Sequence, residues 1–533
     1  MTERKWKPSA FIVMAALLVA CTRTVPPAAS SGSTAPTAAG AGAATQAQPG
    51  APKQGGTLIA ARAEDMKGLD PHKQTAFSSF RMLELIYDPL FTFDKDMKVS
   101  PNLAQSWQFS DDAKTLTVTL RKNVKFHNGD ALTSDDVKFT FERIADEKTG
   151  AAARSTYSGI ASIETPDPNT VVFKLKAPNA ALPAAMTSLN SAILDKKWVT
   201  GGADPAKETN GTGAFKLDKW ETDKTLTLKA NKDFWSPGLP HLDGIEFRTI
   251  PDESSILATL RAKTIDWAYL NDPRVASRAV SETSLTTWKS PSLAYHVLQL
   301  NAGRAPFKDL KVRQAIACAI DRQQVLDTAL LGDGQVTGPA TPALYQVPLD
   351  QLFCYKPDIA KAKQLLADAG NPAVKFKIMA ATGEPPTAVN EAQNIQEQLK
   401  QIGVEVEIEP LETQVYVDRW LKADFDTAVA LNGGNPDPDN MFYRYWHSTG
   451  NLNKVAAFND PALDTLLEQG RAEVVPDKRI AIYTDIQKKL TEASPWVWLY
   501  TANDYRVGQN YVKGFTPLSN GSILYLRETW LDK

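Results

Sequence analysis

The sequence predicts an α/β protein in which mixed sheets are flanked by helices, and two stretches carry that prediction. In residues 101–143, Leu116, Val118 and Leu120 alternate with threonines as a strand. Asn128-Gly129 then supplies a turn, and Thr133-Ser134-Asp135-Asp136 opens a helix with Val137, Phe141 and Ile144 on one face. From residue 359 onward the pattern becomes helix, glycine stop, strand. Residues 359–369 form a helix stopped at Gly370, and residues 376–379 a strand. Residues 392–402 form a helix with Ile395, Leu399 and Ile402 apolar, stopped at Gly403, and Val404, Val406 and Ile408 the next strand.

The other elements follow in order. A short strand is expected over residues 55–59, a turn at Leu69-Asp70-Pro71-His72, and a helix through Met82, Leu85 and Ile86. Residues 165–169 form a turn before a strand over 171–175. Leu226 and Leu228 mark a half-buried strand, and residues 254–263 a helix with Ile256, Leu257 and Leu260 apolar. Val312, Ala315, Ile316, Ala319 and Ile320 form one helical face.

Length and charge narrow the function. The chain has 533 residues, enough for about three units of ~150 residues. A net charge of -2 implies no nucleic-acid partner. Hydrophobic residues make up 43% and charged residues 23%, which suits a globular protein.

The N-terminus reads as an address. Arg4, Lys5 and Lys7 precede an apolar run, residues 10–20, too short to span a bilayer comfortably. The run ends in Leu18-Val19-Ala20-Cys21, which looks like a bacterial lipobox with Cys21 as the lipidation site; the alternative is an ordinary secretory signal beside an accidental Cys. Residues 22–55 are almost wholly Ala, Gly, Pro, Ser, Thr and Gln, which cannot bury enough surface to fold. Such a tether spans about 30 Å. The expected product is exported and lipid-anchored at the cell membrane, facing periplasm or exterior, with no other membrane contact. Cys318 and Cys354 remain, either as a disulfide or as two buried thiols.

Three stretches carry a family resemblance: residues 101–143; Gly211-Thr212-Gly213-Ala214-Phe215 with Trp220 and Asn231 to Trp235 behind it; and Asn301 followed by residues 306–316 and Ala319-Ile320-Asp321-Arg322. In wording and order they resemble the bacterial extracellular solute-binding proteins of family 5, the peptide-, nickel- and opine-type receptors of ABC importers. The resemblance covers nearly all of residues 55–533, with Ala214 in place of the usual Pro. It implies a two-lobe periplasmic-binding-protein fold with an extra subdomain and two hinge crossings, near residues 290–298 and 498–504. Lobe I would take residues 56–291, including the extra subdomain at about 101–210, lobe II residues 292–501, and residues 502–533 would return to lobe I.

Catalysis has little support. The five histidines, His72, His127, His241, His296 and His447, show no metal spacing, and there is no Gly-x-Ser-x-Gly elbow or phosphate loop. The paired acids Asp111-Asp112 and Asp135-Asp136 read as turn and cap residues. The protein is expected not to be an enzyme and to need no cofactor or resident metal. By analogy His296 and His447 could face the cleft, and His127 looks structural.

The resemblance places the loop at residues 432–440 at the cleft. Asp437 or Asp439 can cap the following helix, which is explanation enough for both. Dipeptide receptors grip the ligand's ammonium with an aspartate further upstream, and the matching position here is Gly434. That departure disfavours free peptides, and Gly434→Asp is expected to restore their binding if the backbone permits. Aromatic residues are plentiful, with 12 Trp, 14 Tyr and 20 Phe, and suit either a wet cleft or a core. Trp446, Trp498 and Tyr500 are expected at the cleft because they flank the loop and the second crossing. Phe77, Tyr295, Asn435 and Asp437 complete the expected ligand-binding set.

The function expected is capture of a peptide-like or other polar solute between two lobes and delivery to ABC permease subunits, by a monomer. The alternatives are an opine, oligosaccharide or nickel-chelate receptor of the same fold, or a sensor without transport.

Overall fold

The computed structural model describes residues 51–383 and 385–533. Cys21, the apolar run and nearly all of the tether lie outside these residues. Residues 52–533 form one unit.

An 11-stranded sheet runs through this unit. Its centre is a pair of long antiparallel strands, Leu285–Leu300 and Trp496–Gln509. On one side lie Trp267–Leu270, Thr57–Arg62, Gly244–Thr249, Thr225–Ala230 and Phe215–Glu221, in that order. On the other lie Thr427–Asn432, Lys375–Ala381 and Glu405–Leu411, and the eleventh strand, Gly334–Val336, pairs with Trp496–Gln509 off this path. Each long strand therefore serves both halves, and these are the two crossings of the α/β two-lobe fold. Their ladder pairs Leu285 to Pro291 with Gln509 to Asn503, and resumes at Tyr295 opposite Thr501. Ser292, Leu293 and Ala294 fall in the irregularity between the two runs.

A separate antiparallel sheet orders Ala104–Phe109, Thr115–Leu120, Thr170–Leu175 and Ile160–Asp167. Helix Ser134–Ala145 covers it, with Val137, Phe141 and Ile144 all buried. The helix starts where a capping box predicts: Thr133 N–H donates to Asp136 Oδ2 at 2.8 Å. Leu116, Val118, Leu120 and Phe173 complete this core.

The helix expected through Met82, Leu85 and Ile86 stops at Leu83. The carbonyls of Leu85 and Ile86 are taken instead by Phe215 N–H at 3.0 Å and Gly213 N–H at 2.9 Å. A Cβ at Gly211 would meet Ile86 O at 2.0 Å, and one at Gly213 would meet Leu85 O at 2.6 Å. The Gly211-Thr212-Gly213 motif thus has a packing reason: two backbones touch there and no side chain fits between them. His127 closes the same junction by donating Nε2–H to Gly213 O at 3.1 Å, and burial lowers its pKa to about 4. It is a neutral structural bridge.

The third motif is structural as well. Arg313 donates to Phe307 O at 2.7 Å and Ala493 O at 3.0 Å. Buried Arg322 donates to Trp498 O and Cys354 O, each at 2.9 Å. Cys318 and Cys354 are joined, with sulfurs 1.98 Å apart, closing a 36-residue separation beside Arg322.

Candidate functional site

A cleft of about 720 Å³ opens over the break in the central ladder. Ser292, Leu293 and Ala294 from one crossing and Ala502, Asn503 and Asp504 from the other form its floor. Phe77, Arg62, Arg81, Trp267 and Tyr269 line one wall, and His296, Thr387, Leu431, Gly433 and Gly434 the other. The C-terminal segment adds Ser519, Asn520, Gly521 and Ile523. This segment is held to the first half by Glu84, which accepts from Ser522 Oγ at 2.7 Å and Ile523 N–H at 2.6 Å. Burial pushes the Glu84 carboxyl up to about 7. The size and the mixture of aromatic and polar lining suit a small-molecule site.

Of the expected ligand-binding residues, Phe77 and Gly434 line the cleft, and Phe77 is 55% exposed. The other six do not line it. Trp446, Trp498 and Tyr295 are each 2% exposed and belong to an aromatic core around Trp496, Tyr445 and Tyr483. Trp446 packs edge-on to Trp496 with centroids 4.5 Å apart. Tyr500 is fully buried beneath His296, its ring stacked on the imidazole at 4.4 Å. Asn435 is spent on its own turn, accepting from Asp437 N–H at 3.0 Å. Asp437 caps helix Pro438–Trp446 through Asp439 N–H at 2.9 Å. Both its oxygens also face Arg479, at 2.7 and 2.8 Å. Asp439 is held in the same way by Arg471. Tyr295 turns away from its cleft-lining neighbour His296 because adjacent strand residues point to opposite faces, and Trp446, at the end of its helix, packs into the same core.

His296 lines the cleft and His447 does not. Glu391, wholly buried, sits 2.9 Å from His296 Nδ1 and accepts the Tyr500 hydroxyl at 2.8 Å. Burial alone would raise the Glu391 carboxyl; His296 and the Tyr500 hydroxyl outweigh it and hold the pKa below its ordinary value. With Nδ1 engaged, Nε2 is the ring nitrogen left for a ligand. His447 stacks on Tyr443 at 4.1 Å and bonds Thr449 at 2.8 Å. No group of three or more His, Cys, Asp or Glu placed to hold a metal ion occurs among the described residues.

Sequence reasoning missed Arg62, Arg81, Trp267 and Tyr269. One signal was available: Arg62 closes an otherwise apolar strand, Thr57–Arg62, where a charge needs a reason.

The structure also corrects the expectation for Gly434. Its backbone does not lie in the left-handed region, so the obstacle is space. A Cβ there would meet Leu293 O at 1.7 Å, whereas a Cβ at Gly433 meets nothing within 4 Å among the described residues. Gly434→Asp therefore cannot place a carboxylate in the cleft without displacing the crossing strand. Gly434→Ala is expected to cost at least ~1–3 kcal/mol, and Gly433→Ala less than about 1 kcal/mol in either direction. Equal stabilities in denaturant unfolding would contradict this account of the loop.

Comparisons with known proteins agree with this architecture. The oligopeptide-binding protein AppA of Bacillus subtilis is 27% identical over 512 residues, covering 91% of this chain and 93% of its own. The glutathione-binding protein GsiB of Escherichia coli K12 is 28% identical over 468 residues, 83% of this chain and 88% of its own. The periplasmic binding protein AgaA of A. tumefaciens R10, solved with agropinic acid, superposes with a TM-score of 0.77 at 30% identity, over 90% of this chain and 99% of its own. The family described as bacterial extracellular solute-binding proteins, family 5, middle, matches residues 98–453, more than half of the chain. The chain belongs to the family 5 extracellular solute-binding proteins.

Proposed function

We propose that this chain is an exported, lipid-anchored receptor that closes residues 56–291 and 502–533 against residues 292–501 on one polar solute and delivers it to an ABC importer. The observation that carries this reading is the cleft itself. Its floor is the break in the two crossing strands, and its walls come from both halves of the sheet. A solute bound there touches both halves only when they approach, so binding favours the closed arrangement. The oligopeptide-binding protein AppA, the glutathione-binding protein GsiB and AgaA, solved with agropinic acid, support solute capture as the class of activity.

A polar solute other than an ordinary free peptide is favoured by the loop at residues 432–437. Its one carboxylate, Asp437, is committed to Arg479 and to a helix cap, so this loop offers no free anion to a ligand's ammonium. A buried ammonium without a paired anion costs several kcal/mol.

Native mass spectrometry of the purified protein tests the reading. One solute per chain is expected, and its mass should be unchanged after long incubation with the protein. Turnover of that solute, or its identification as a free di- or tripeptide, would contradict the proposal. The anchor has its own test: labelled palmitate should enter the wild type and not Cys21→Ala, and equal labelling of both would reject lipidation at Cys21.

A further inference from the structure

The wall of the cleft around Tyr269 gathers three arginines whose hydrogen-bonding capacity its acids leave incompletely used. The register that pairs Ala60 with Trp267 and Ala61 with Ala268 sets Arg62 beside Tyr269. On the next strand Tyr269 pairs with Arg506. Arg62, Tyr269 and Arg506 thus form one row across three adjacent strands, about 5 Å apart. Arg81, from helix Phe77–Leu83, lays its guanidinium over the Tyr269 ring at 3.8 Å, and Arg506 approaches the same ring at 4.7 Å.

These guanidinium groups are incompletely bonded. Arg62 is 7% exposed and lines the cleft, yet its Nε and Nη1 have no hydrogen-bond partner among the described residues. Only its Nη2 is engaged, by Asp65. Asp65 is itself saturated by Met66 N–H at 2.8 Å, Asp223 N–H at 2.7 Å and the Trp220 indole at 3.0 Å. Arg506 lies behind Tyr269 with Nε and Nη2 lacking a hydrogen-bond partner among the described residues, and the carboxylate of Asp504 is 3.9 Å away. Arg81 donates Nε–H to Gly521 O at 3.2 Å and has no ion pair among the described residues. A buried guanidinium left without hydrogen bonds is costly, and each such group calls for an explanation.

Acids nearby do not complete these bonds: Asp504 faces Tyr269 and Arg506, and Asp223 faces Arg62, but among the described residues neither is hydrogen-bonded to Arg62 or Arg81. Glu253 accepts Asn271 N–H at 2.8 Å and Asp272 N–H at 2.7 Å. Asp272 pairs with Arg274 at 2.9 Å. Glu84 binds the C-terminal segment, and with its pKa near 7 it is partly protonated at neutral pH. Glu64 is exposed.

We propose that Arg62 and Arg81 form an anion subsite on the Tyr269 wall, and that the solute presents a carboxylate there. The planar guanidinium fork matches a carboxylate through two parallel N–H···O bonds. Tyr269 supplies a flat face that orients Arg81, and Arg506 adds positive potential from behind without touching the ligand. The proposal rests on the reading of the cleft as the solute site, and deepens it by naming the ligand's charged group.

The test uses the full chain freed of solute and titrated with carbon-13 formate, the smallest carboxylate, followed by NMR relaxation. Saturable binding is expected, weakened about tenfold or more in Arg62→Gln and in Arg81→Gln, and unchanged in Arg274→Gln. Arg81 is only partly buried, so Arg81→Gln keeps the test valid if Arg62→Gln fails to fold. Absence of saturable formate binding, or equal binding by a folded Arg81→Gln variant, overturns the subsite, as does inorganic phosphate binding more tightly than formate. The two proposals fail separately. Turnover of the co-purified solute, with formate binding at the arginines intact, would sink the receptor reading alone. A co-purified solute lacking an acidic group would sink the subsite alone.

Discussion

Backbone pairing between Leu285–Leu300 and Trp496–Gln509 is the constraint on which the rest of the molecule depends. These strands are the centre of the sheet for both halves, so every other strand takes its place from them. The interruption at Ser292, Leu293 and Ala294 removes ladder bonds at the point where the proposed closure would bend the strands. It also frees those residues, with Ala502, Asn503 and Asp504 opposite, to form the floor of the cleft. On the proposed closure, hinge and binding floor are the same few residues. This links ligand contact to closure without any separate relay.

Gly434 shows how tightly the loop is fitted to that hinge. It sits against the Leu293 carbonyl, so the loop carrying Gly433 into the cleft is packed on the crossing strand itself. Asp437 and Asp439, locked by Arg479 and Arg471, fix the other end of the loop to the helix Pro438–Trp446. A loop packed this closely on the crossing strand would carry any movement of that strand into the wall of the cleft.

The fold was legible in the sequence because its signals are local. Thr133 and Asp136 mark a helix start by adjacent side chains, and Leu226 and Leu228 mark a strand by alternation. The family motifs were legible too, but they proved to be joints of the fold: Gly213 against Leu85, His127 against Gly213, Arg322 against Trp498 and Cys354. The site was less legible. Arg62, Tyr269 and Arg81 come from two strands and a helix far apart in sequence, and only sheet register brings them together. Trp446 and Trp498 misled because nearness to the cleft along the chain does not decide which face a side chain takes; both turn into the aromatic core below it. The end of the helix at Leu83 was equally hidden, since it depends on the distant N–H groups of Gly213 and Phe215.

The claim that the two halves close around the cleft about the broken ladder is tested most directly by pulsed electron spin resonance, with labels at the exposed positions Lys219 and Lys400 on opposite halves of the molecule. Solute-free protein should show a broad or longer distance distribution that collapses to a shorter, narrower one when the solute recovered from the protein is added back. An identical distribution with and without bound solute would contradict the account.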